Sequence, residues 1–369
     1  MIRSSLRRLK QWAFPVPPLQ YVSGWTLVPE GDITTLLPAQ RVPTPEAAEM
    51  DFIPFSAYLK SPTYTAPTVR SAVLRGTRYC PTNHCVVAEN GDIILESTGP
   101  GARPVELQRR ALQRPTKRIP GLAVPFRCFF NNYYHTLVDN LSRFDLLNFD
   151  HFRKYPSISL LCPGGLTPLE AFFVRSLLPE NVTICPIEPG VMYAPDGLLL
   201  NSFITARSSA YLRGPYVERL RSGVRQPSVA PRRLLLSRRD ANTRRVRNEP
   251  ALLDRLRPFG FERCIPGTLS PTEQIALFQT ADLVVAPHGA GLTNLLFSPH
   301  TSVLELFGSP YVLPHYYLLS KALGHRYAYM LGPEADPEAD FDADIEGVVT
   351  QVAALVNAAP VDRRSPTSS

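Results

Sequence analysis

From Phe126 onward, short apolar runs alternate with longer amphipathic stretches, the pattern of strands and helices in succession. The periods predict a helix over 134–149, a strand over 157–162, a helix over 167–178 and a strand over 182–187. A third short strand, LLLNSF, follows near 198. After a helix-like PYVERLRSGV and the proline-flanked QPSVAP, a second block begins. It reads RRLLLSRR (strand), EPALLDRLRPF (helix), FERCI (strand), PTEQIALFQTA (helix) and DLVVAP (strand). AGLTNLLF (helix), SVLELF (strand), HYYLLSKALG (helix) and RYAYML (strand) follow, and IEGVVTQVAALVNAA forms a last helix. Apolar strands separated in this way by helices make a doubly wound parallel sheet. Ahead of both blocks, HCVVAENGDIILES carries two alternating runs around Asn90-Gly91, a hairpin signal. Residues 15 to 70 are proline-rich without clean periods and read as an extended wrap over a domain surface.

A chain of 369 residues exceeds one ordinary core, so two domains are expected. The expected architecture is α/β, with two Rossmann-like domains and a cleft between them. Its parts are a proline-rich wrap over 1–70, an N-terminal α/β domain over 71–214, a C-terminal one over 231–357, and a disordered tail over 358–369. Ligands in such sheets bind at the carboxyl ends of strands.

Composition narrows the functional classes. Hydrophobic residues at 44% and charged residues at 19% exclude global disorder and a coiled coil. The formal charge of +7 suits an anionic partner without choosing among phosphate ligand, nucleic acid and membrane surface. The six cysteines form no CxxC pair and several sit in apolar runs, which argues against a disulfide-stapled secreted protein. Cys80, His84 and Cys85 resemble half a zinc site, but no second pair follows at suitable spacing. No apolar run is long enough to span a membrane, and the basic N-terminus lacks the apolar region of a signal peptide. Leu6, Leu9, Trp12 and Phe14 fall near one side of a short amphipathic helix, suited to peripheral contact with the inner membrane surface; a frayed or locally packed end is the better account of them. The expected location is the cytoplasm, peripheral at the membrane.

Three stretches carry candidate chemistry. In residues 281–307 a buried strand ends at Pro287, and His288-Gly289-Ala290-Gly291 turns the chain into a helix. Two glycines clear side chains from the approach to the backbone, and the amides of the helix's first turn, through Leu292 and Thr293, favour a phosphate. A tight turn that needs glycine for its dihedrals explains the same residues. HGAG is not GxGxxG, which argues against a nicotinamide site. Glu305, on the next strand, can accept from ribose hydroxyls or pair with an arginine at a strand edge.

In LLLSRRDANTRRVRNE (234–249) an apolar strand runs into Arg238 and Arg239, with Arg244, Arg245 and Arg247 following. In a parallel sheet this loop opens on the same face as HGAG, and guanidinium forks suit phosphate oxygens. A solvated loop or a nucleic-acid patch remain alternatives. No aromatic residues interleave with the arginines, and the run is confined to one loop, which favours a small phosphate ligand over nucleic acid. Asn248 reads as the N-cap of the next helix.

In FFNNYYHTLVDNLSRFDLL (129–147), Tyr134, Leu137, Val138, Leu141 and Phe144 share one helical face. His135 and Asp139, at i and i+4, stack on the opposite side with Ser142 and Arg143. Such a pair can deprotonate a hydroxyl, or simply form a polar face. Asp340, Asp342 and Asp344 mimic a metal-binding DxD run but precede a helix, so capping accounts for them. His315 and Tyr316 open another helix and either line the cleft or pack.

Taken in order, NNYYHTLVDNLSRF, LLLSRRDANTRRVRNE and VVAPHGAGLTNLLFSPHTSVLELF resemble glycosyltransferase family sixty-one over roughly residues 120–310. That family includes bacterial capsule and lipopolysaccharide enzymes, plant xylosyltransferases and animal N-acetylglucosaminyltransferases. The resemblance implies a GT-B arrangement, a nucleotide-sugar donor (a uridine diphosphate sugar) held by the C-terminal domain, and inversion without a metal or other cofactor. The acceptor it implies is a glycan or glycolipid of cell-surface polysaccharide synthesis. Carried over, Arg238 or Arg239 and the turn from His288 through Thr293 hold the diphosphate, and Glu305 the nucleoside. His135 and Asp139 then face the acceptor, with Asn132 and Arg143 beside them in its cleft. Two other classes stand beside this one: a noncatalytic nucleotide- or carbohydrate-binding relative, and a nucleic-acid-binding protein.

Overall fold

The computed structural model describes residues 20–37, 40–42, 64–66, 68–97, 112–127, 132–142, 147–201, 214–222, 231–309, 312–334 and 336–358. The basic segment before residue 20, Arg143 and the tail from 359 lie outside these residues.

The N-terminal part contains β1 (Tyr21–Val22), β2 (Thr34–Leu37), β3 (Gln40–Val42), β4 (Tyr64–Ala66), β5 (Val69–Leu74), β6 (Arg78–Cys80), β7 (Cys85–Val87) and β8 (Ile93–Ile94). Then come β9 (Lys117–Pro125), β10 (Ile158–Pro163), β11 (Val182–Ile187) and β12 (Tyr193–Asn201). β3 and β4 form a ladder of their own, and the other ten strands make one mixed sheet. Its centre is a parallel run, β12-β9-β10-β11, extended antiparallel from β12 through β5 and β6. α1 (Pro168–Leu177) joins β10 to β11. Pro168 at its first position and the Thr167–Glu170 capping box explain why it starts there. The expected hairpin closes with Val87 opposite Ile93.

Two expectations change in this half. β1 and β2 fall in the stretch read as an irregular wrap, yet both join the sheet, β1 against β8 and β2 against β5. The short strand near 198 is the end of a nine-residue one, because Pro195 and Gly197 do not break it. The register slips between them, and Gly197 is needed for space: a Cβ there would lie 2.8 Å from Cγ1 of Val73 on β5.

The C-terminal sheet is wholly parallel. β13 (Arg232–Leu236), β14 (Phe261–Cys264), β15 (Ala281–Pro287), β16 (Ser302–Ser309) and β17 (Arg326–Glu334) lie in the order β14-β13-β15-β16-β17. This order reverses direction between β13 and β15, which creates a crevice at their carboxyl ends. α2 (Gly214–Ser222) leads into the sheet, and α3 (Glu249–Leu256), α4 (Pro271–Gln279), α5 (His315–Ala322) and α6 (Ile345–Asn357) belong to it. Strand alternation sorts the layers. Leu235, Val285 and Leu304 pack with Leu252 of α3 and Val348 of α6, while Leu234, Val284 and Val303 join the core containing α4 and α5.

That second core continues into the N-terminal sheet, so the two halves share packing rather than only a cleft. Phe173 of α1 stacks on Phe297 with centroids 5.9 Å apart. Arg221 of α2 donates to the carbonyls of Leu296 (2.7 Å) and Ser298 (2.6 Å). The segment AGLTNLLF, expected as an α-helix, is a 3₁₀ helix over Ala290–Phe297, buried from Leu292 onward. Asn294 contributes to the tighter winding, since its side-chain amide donates to the Gly291 carbonyl at 3.1 Å and competes for it.

Candidate active site

The crevice between β13 and β15 holds a cavity of about 220 Å³. It is lined by the ends of three strands and the turns beyond them: Ser237, Arg238 and Asp240 after β13, Pro266 and Gly267 after β14, and Gly289 to Leu292 after β15. Tyr133, from the other half of the chain, closes one side. Its hydroxyl donates to Asn294 Oδ1 at 2.7 Å, and Asn294 also donates to Gln274 Oε1 at 2.8 Å. The wall is therefore held by a chain of side-chain hydrogen bonds that runs from the N-terminal half to α4.

The five loop arginines divide. Arg238 enters the cavity and lies over Gly289, with its Nε donating to the Thr243 carbonyl at 3.1 Å. Arg239 turns away to Glu249, 3.3 Å from its carboxylate. Arg245 and Arg247 pair with Asp340 (2.7 Å) and Asp342 (2.8 Å). Arg244 sits in the left-handed region at φ 62, unusual for arginine, and its charge acts on His288, Glu305 and Tyr316. Arg238 is thus the arginine of this loop that lines the crevice, while Arg244 acts by its charge on the buried groups behind the turn. The DxD-like run is divided between the arginines and a helix cap: Asp344 accepts from Gly347 N at 3.1 Å at the start of α6. Asn248 makes no cap hydrogen bond; its amide instead clamps both backbone groups of Ala343, at 2.8 and 2.9 Å.

Behind the turn, His288 and Glu305 form a buried pair, Nδ1 to Oε1 at 2.6 Å, and Tyr327 donates to Oε2 at 2.5 Å. Glu305 is 0% exposed with both oxygens engaged, so it braces His288 and does not meet a ribose. Burial drives the two groups toward their uncharged forms, Glu305 well up and His288 down to about 3, the latter helped by Arg244 and Arg238. Thr293 is likewise fully buried, 3.4 Å from the Tyr316 hydroxyl, and does not line the cavity. Gly289 has φ 170, ordinary extended backbone, and a Cβ there would lie 1.9 Å from Arg238 Nη1. The two glycines answer to space: a Cβ on Gly291 would meet Pro266 Cγ at 3.2 Å.

The helix of His135 departs from its expectation. It is a π-turn over His135–Asn140, with Leu141 N bonded to the Thr136 carbonyl at 2.9 Å. The wider turn leaves no solvated polar face, and Asp139 is buried together with Leu137 and Val138. Asp139 Oδ2 bonds His135 Nδ1, which leaves Nε2 as the imidazole's other nitrogen. Asn132 is exposed and caps the turn, its Oδ1 accepting from His135 N at 2.9 Å. An aromatic chain joins this pair to the crevice. The ring of Tyr134 lies 5.2 Å from His135 and 5.1 Å from His315, whose ring is 6.1 Å from His288.

Residues 133–304 match the family model described as Glycosyltransferase 61. The matched segment is just under half of the chain and contains the π-turn, the arginine loop and the glycine turn. A rice (Oryza sativa subsp. japonica) protein, beta-1,2-xylosyltransferase RCN11, is 47% identical over 49 residues. That stretch is 13% of this chain and 9% of the rice protein, so the chain matches under a tenth of that relative's length. Both likenesses are to glycosyltransferases.

Within the Glycosyltransferase 61-like segment, sequence reasoning passed over Tyr133 and set no weight on Arg244. Tyr133 carried a legible signal, an aromatic doublet directly before the His–Asp pair. Arg244 carried none, because its four neighbouring arginines look alike in sequence. His315 and Tyr316, left open between lining and packing, pack against Tyr134 and His288.

Buried histidines predict acid sensitivity. Burial holds His288 to about 3 and His315 and His325 to about 4. Unfolded, each takes up a proton below about 6.5. The unfolded state therefore binds more protons as pH falls from 6.5 toward 4, and stability present above pH 6.5 is lost across that window. Each histidine contributes up to about 1.4 kcal/mol per pH unit, and Glu305, shifted upward, offsets one of them above its unfolded value. Thermal melts from pH 7 to 5 should show a falling midpoint. His325→Gln keeps a donor for the Leu295 carbonyl, now 3.0 Å from Nε2, and should flatten the fall; an unchanged slope would refute the assignment.

Proposed function

We propose that this chain transfers a sugar from a nucleotide-sugar donor to a hydroxyl of a glycan or glycolipid, with inversion and without a metal. The observation that carries the reading is Tyr133. It lines the cavity of Arg238 and Gly289 and stands two residues from His135, so one short turn joins an anion-suited crevice to a histidine–carboxylate pair. The two sheets then play the parts of a GT-B pair, acceptor on the N-terminal side and donor on the C-terminal side.

In a single displacement, His135 Nε2 takes the acceptor proton as the acceptor oxygen bonds to the anomeric carbon. The bond from that carbon to the diphosphate breaks, and its electron pair leaves with the phosphate oxygen. Asp139 holds Nδ1 and stabilises the imidazolium that forms. Arg238 and Arg244 neutralise the leaving diphosphate, the work that a metal performs elsewhere. Asp139 itself is buried with Oδ2 engaged, which favours His135 as the group that meets the acceptor. A basic N-terminus at the cytoplasmic membrane surface fits a glycolipid acceptor within the same proposal.

A nucleic-acid partner is disfavoured by Arg239, Arg245 and Arg247, which are already paired with carboxylates. The test is a panel of nucleotide sugars in thermal-shift and nucleotide-release assays. A uridine diphosphate sugar should raise the melting temperature with or without a chelator, and release nucleotide only when acceptor is present. Binding that disappears in chelator would overturn the metal-free mechanism. Binding without any turnover across acceptors would favour a noncatalytic relative. Arg239→Ala should bind normally and Arg238→Ala should not.

A further inference from the structure

The loop after β13 places two opposite charges over two glycines. Arg238 lies over Gly289, the turn after β15, and Asp240 lies over Gly267, the turn after β14, where a Cβ would come within 2.2 Å of its Oδ2. Both side chains line the cavity, so its β15 side is cationic and its β14 side anionic. Asp240 is exposed, and among the described residues its carboxylate has no ion-pair partner. Asp336, Asp340 and Asp342, from the far end of the chain, are each held by an arginine. An unpaired carboxylate beside an anion site repels a phosphate brought close to it. It is suited instead to a pair of hydroxyl donors, since one ionised carboxylate accepts at both oxygens.

We infer that Asp240 is a specificity-determining residue that accepts hydrogen bonds from the ribose 2′,3′-diol of the donor nucleotide, with the diphosphate turned toward Arg238 and Gly289. The inference rests on the donor-site reading above and takes the place that Glu305, fully buried, does not fill. The two charges fix the ligand's direction along the crevice: diphosphate toward β15, sugar of the nucleoside toward β14.

Calorimetric titration of UDP, GDP and ADP, their 2′-deoxy forms and inorganic pyrophosphate tests it on the full chain. Wild type should bind whichever ribonucleotide it accepts at least about tenfold more tightly than the deoxy form, the scale of a hydrogen bond to a charged group. In Asp240→Ala that ratio should fall toward one, while pyrophosphate binds as well or more tightly because a like charge is gone. Undiminished discrimination in the variant, or tighter binding of the ribonucleotide, would overturn the inference and leave the donor site standing. Equal weakening of nucleotide and pyrophosphate would also overturn it, by showing that Asp240 merely shapes the loop. If wild type binds no nucleoside diphosphate, the donor-site reading fails and this inference fails with it.

Discussion

Gly289→Ala is expected to weaken nucleoside-diphosphate binding by about a hundredfold while the protein still folds. The glycine's backbone is extended at φ 170, so alanine adds no dihedral strain. What it adds is a methyl group 1.9 Å from Nη1 and 2.8 Å from Cζ of Arg238. The far end of a long side chain yields more easily than the turn beneath it. Arg238 is therefore displaced from the cavity, and the fold is kept. The effect should match that of Arg238→Ala, and the double variant should be no worse than either, because both changes remove one guanidinium. Isothermal titration with the diphosphate and a thermal melt for each variant supply the comparison. Normal binding by Gly289→Ala, or additive losses in the double variant, would remove Arg238 from the anion site.

His135→Ala and Asp139→Asn should each reduce turnover by at least about a hundredfold, the usual scale for a lost general base. Donor affinity should barely move, because the pair lies on the N-terminal turn and the proposed diphosphate site on the C-terminal loops. The double variant should be no slower than His135→Ala alone, since the carboxylate acts through the imidazole. A loss confined to KM would recast the pair as an acceptor-binding face. Full turnover in both variants would make the π-turn a structural element and move the base elsewhere.

Much of the C-terminal sheet was legible because its signals are local. β13, β14, β15, β16 and β17 each follow a helix or turn whose period and caps stand in the sequence, such as Ser270-Pro271 with Glu273 at the start of α4. The N-terminal sheet was legible only in part. β1 and β2 are two and four residues long, and they exist because β8 and β5 lie alongside them. No periodicity shows in segments so short. The helix expected over 134–149 differs in winding where it is described: His135–Asn140 form a π-turn, and residues 143–146 lie outside the described residues. A π-turn is sustained by packing around Leu137, Val138 and Leu141, and a period-based reading assumes regular winding.

The site divides in the same way. The sequence by itself determined that a strand ends in His288-Gly289-Ala290-Gly291, that another runs into a cluster of arginines, and that a histidine and an aspartate stand four apart on one turn. Each is a statement about neighbours along the chain, where covalent geometry limits what can happen. Tertiary structure alone decided that Arg238 lines the crevice, while Arg245 and Arg247 are drawn off by aspartates 95 residues away. It also buried Glu305 beneath His288 and brought Tyr133 to the wall of a cavity whose other lining residues run from Leu236 to Leu292. The physical reason is that a charge or hydroxyl is assigned its partner by distance in space and by the cost of leaving a buried group unpaired, and neither quantity is written in the spacing of residues along the chain.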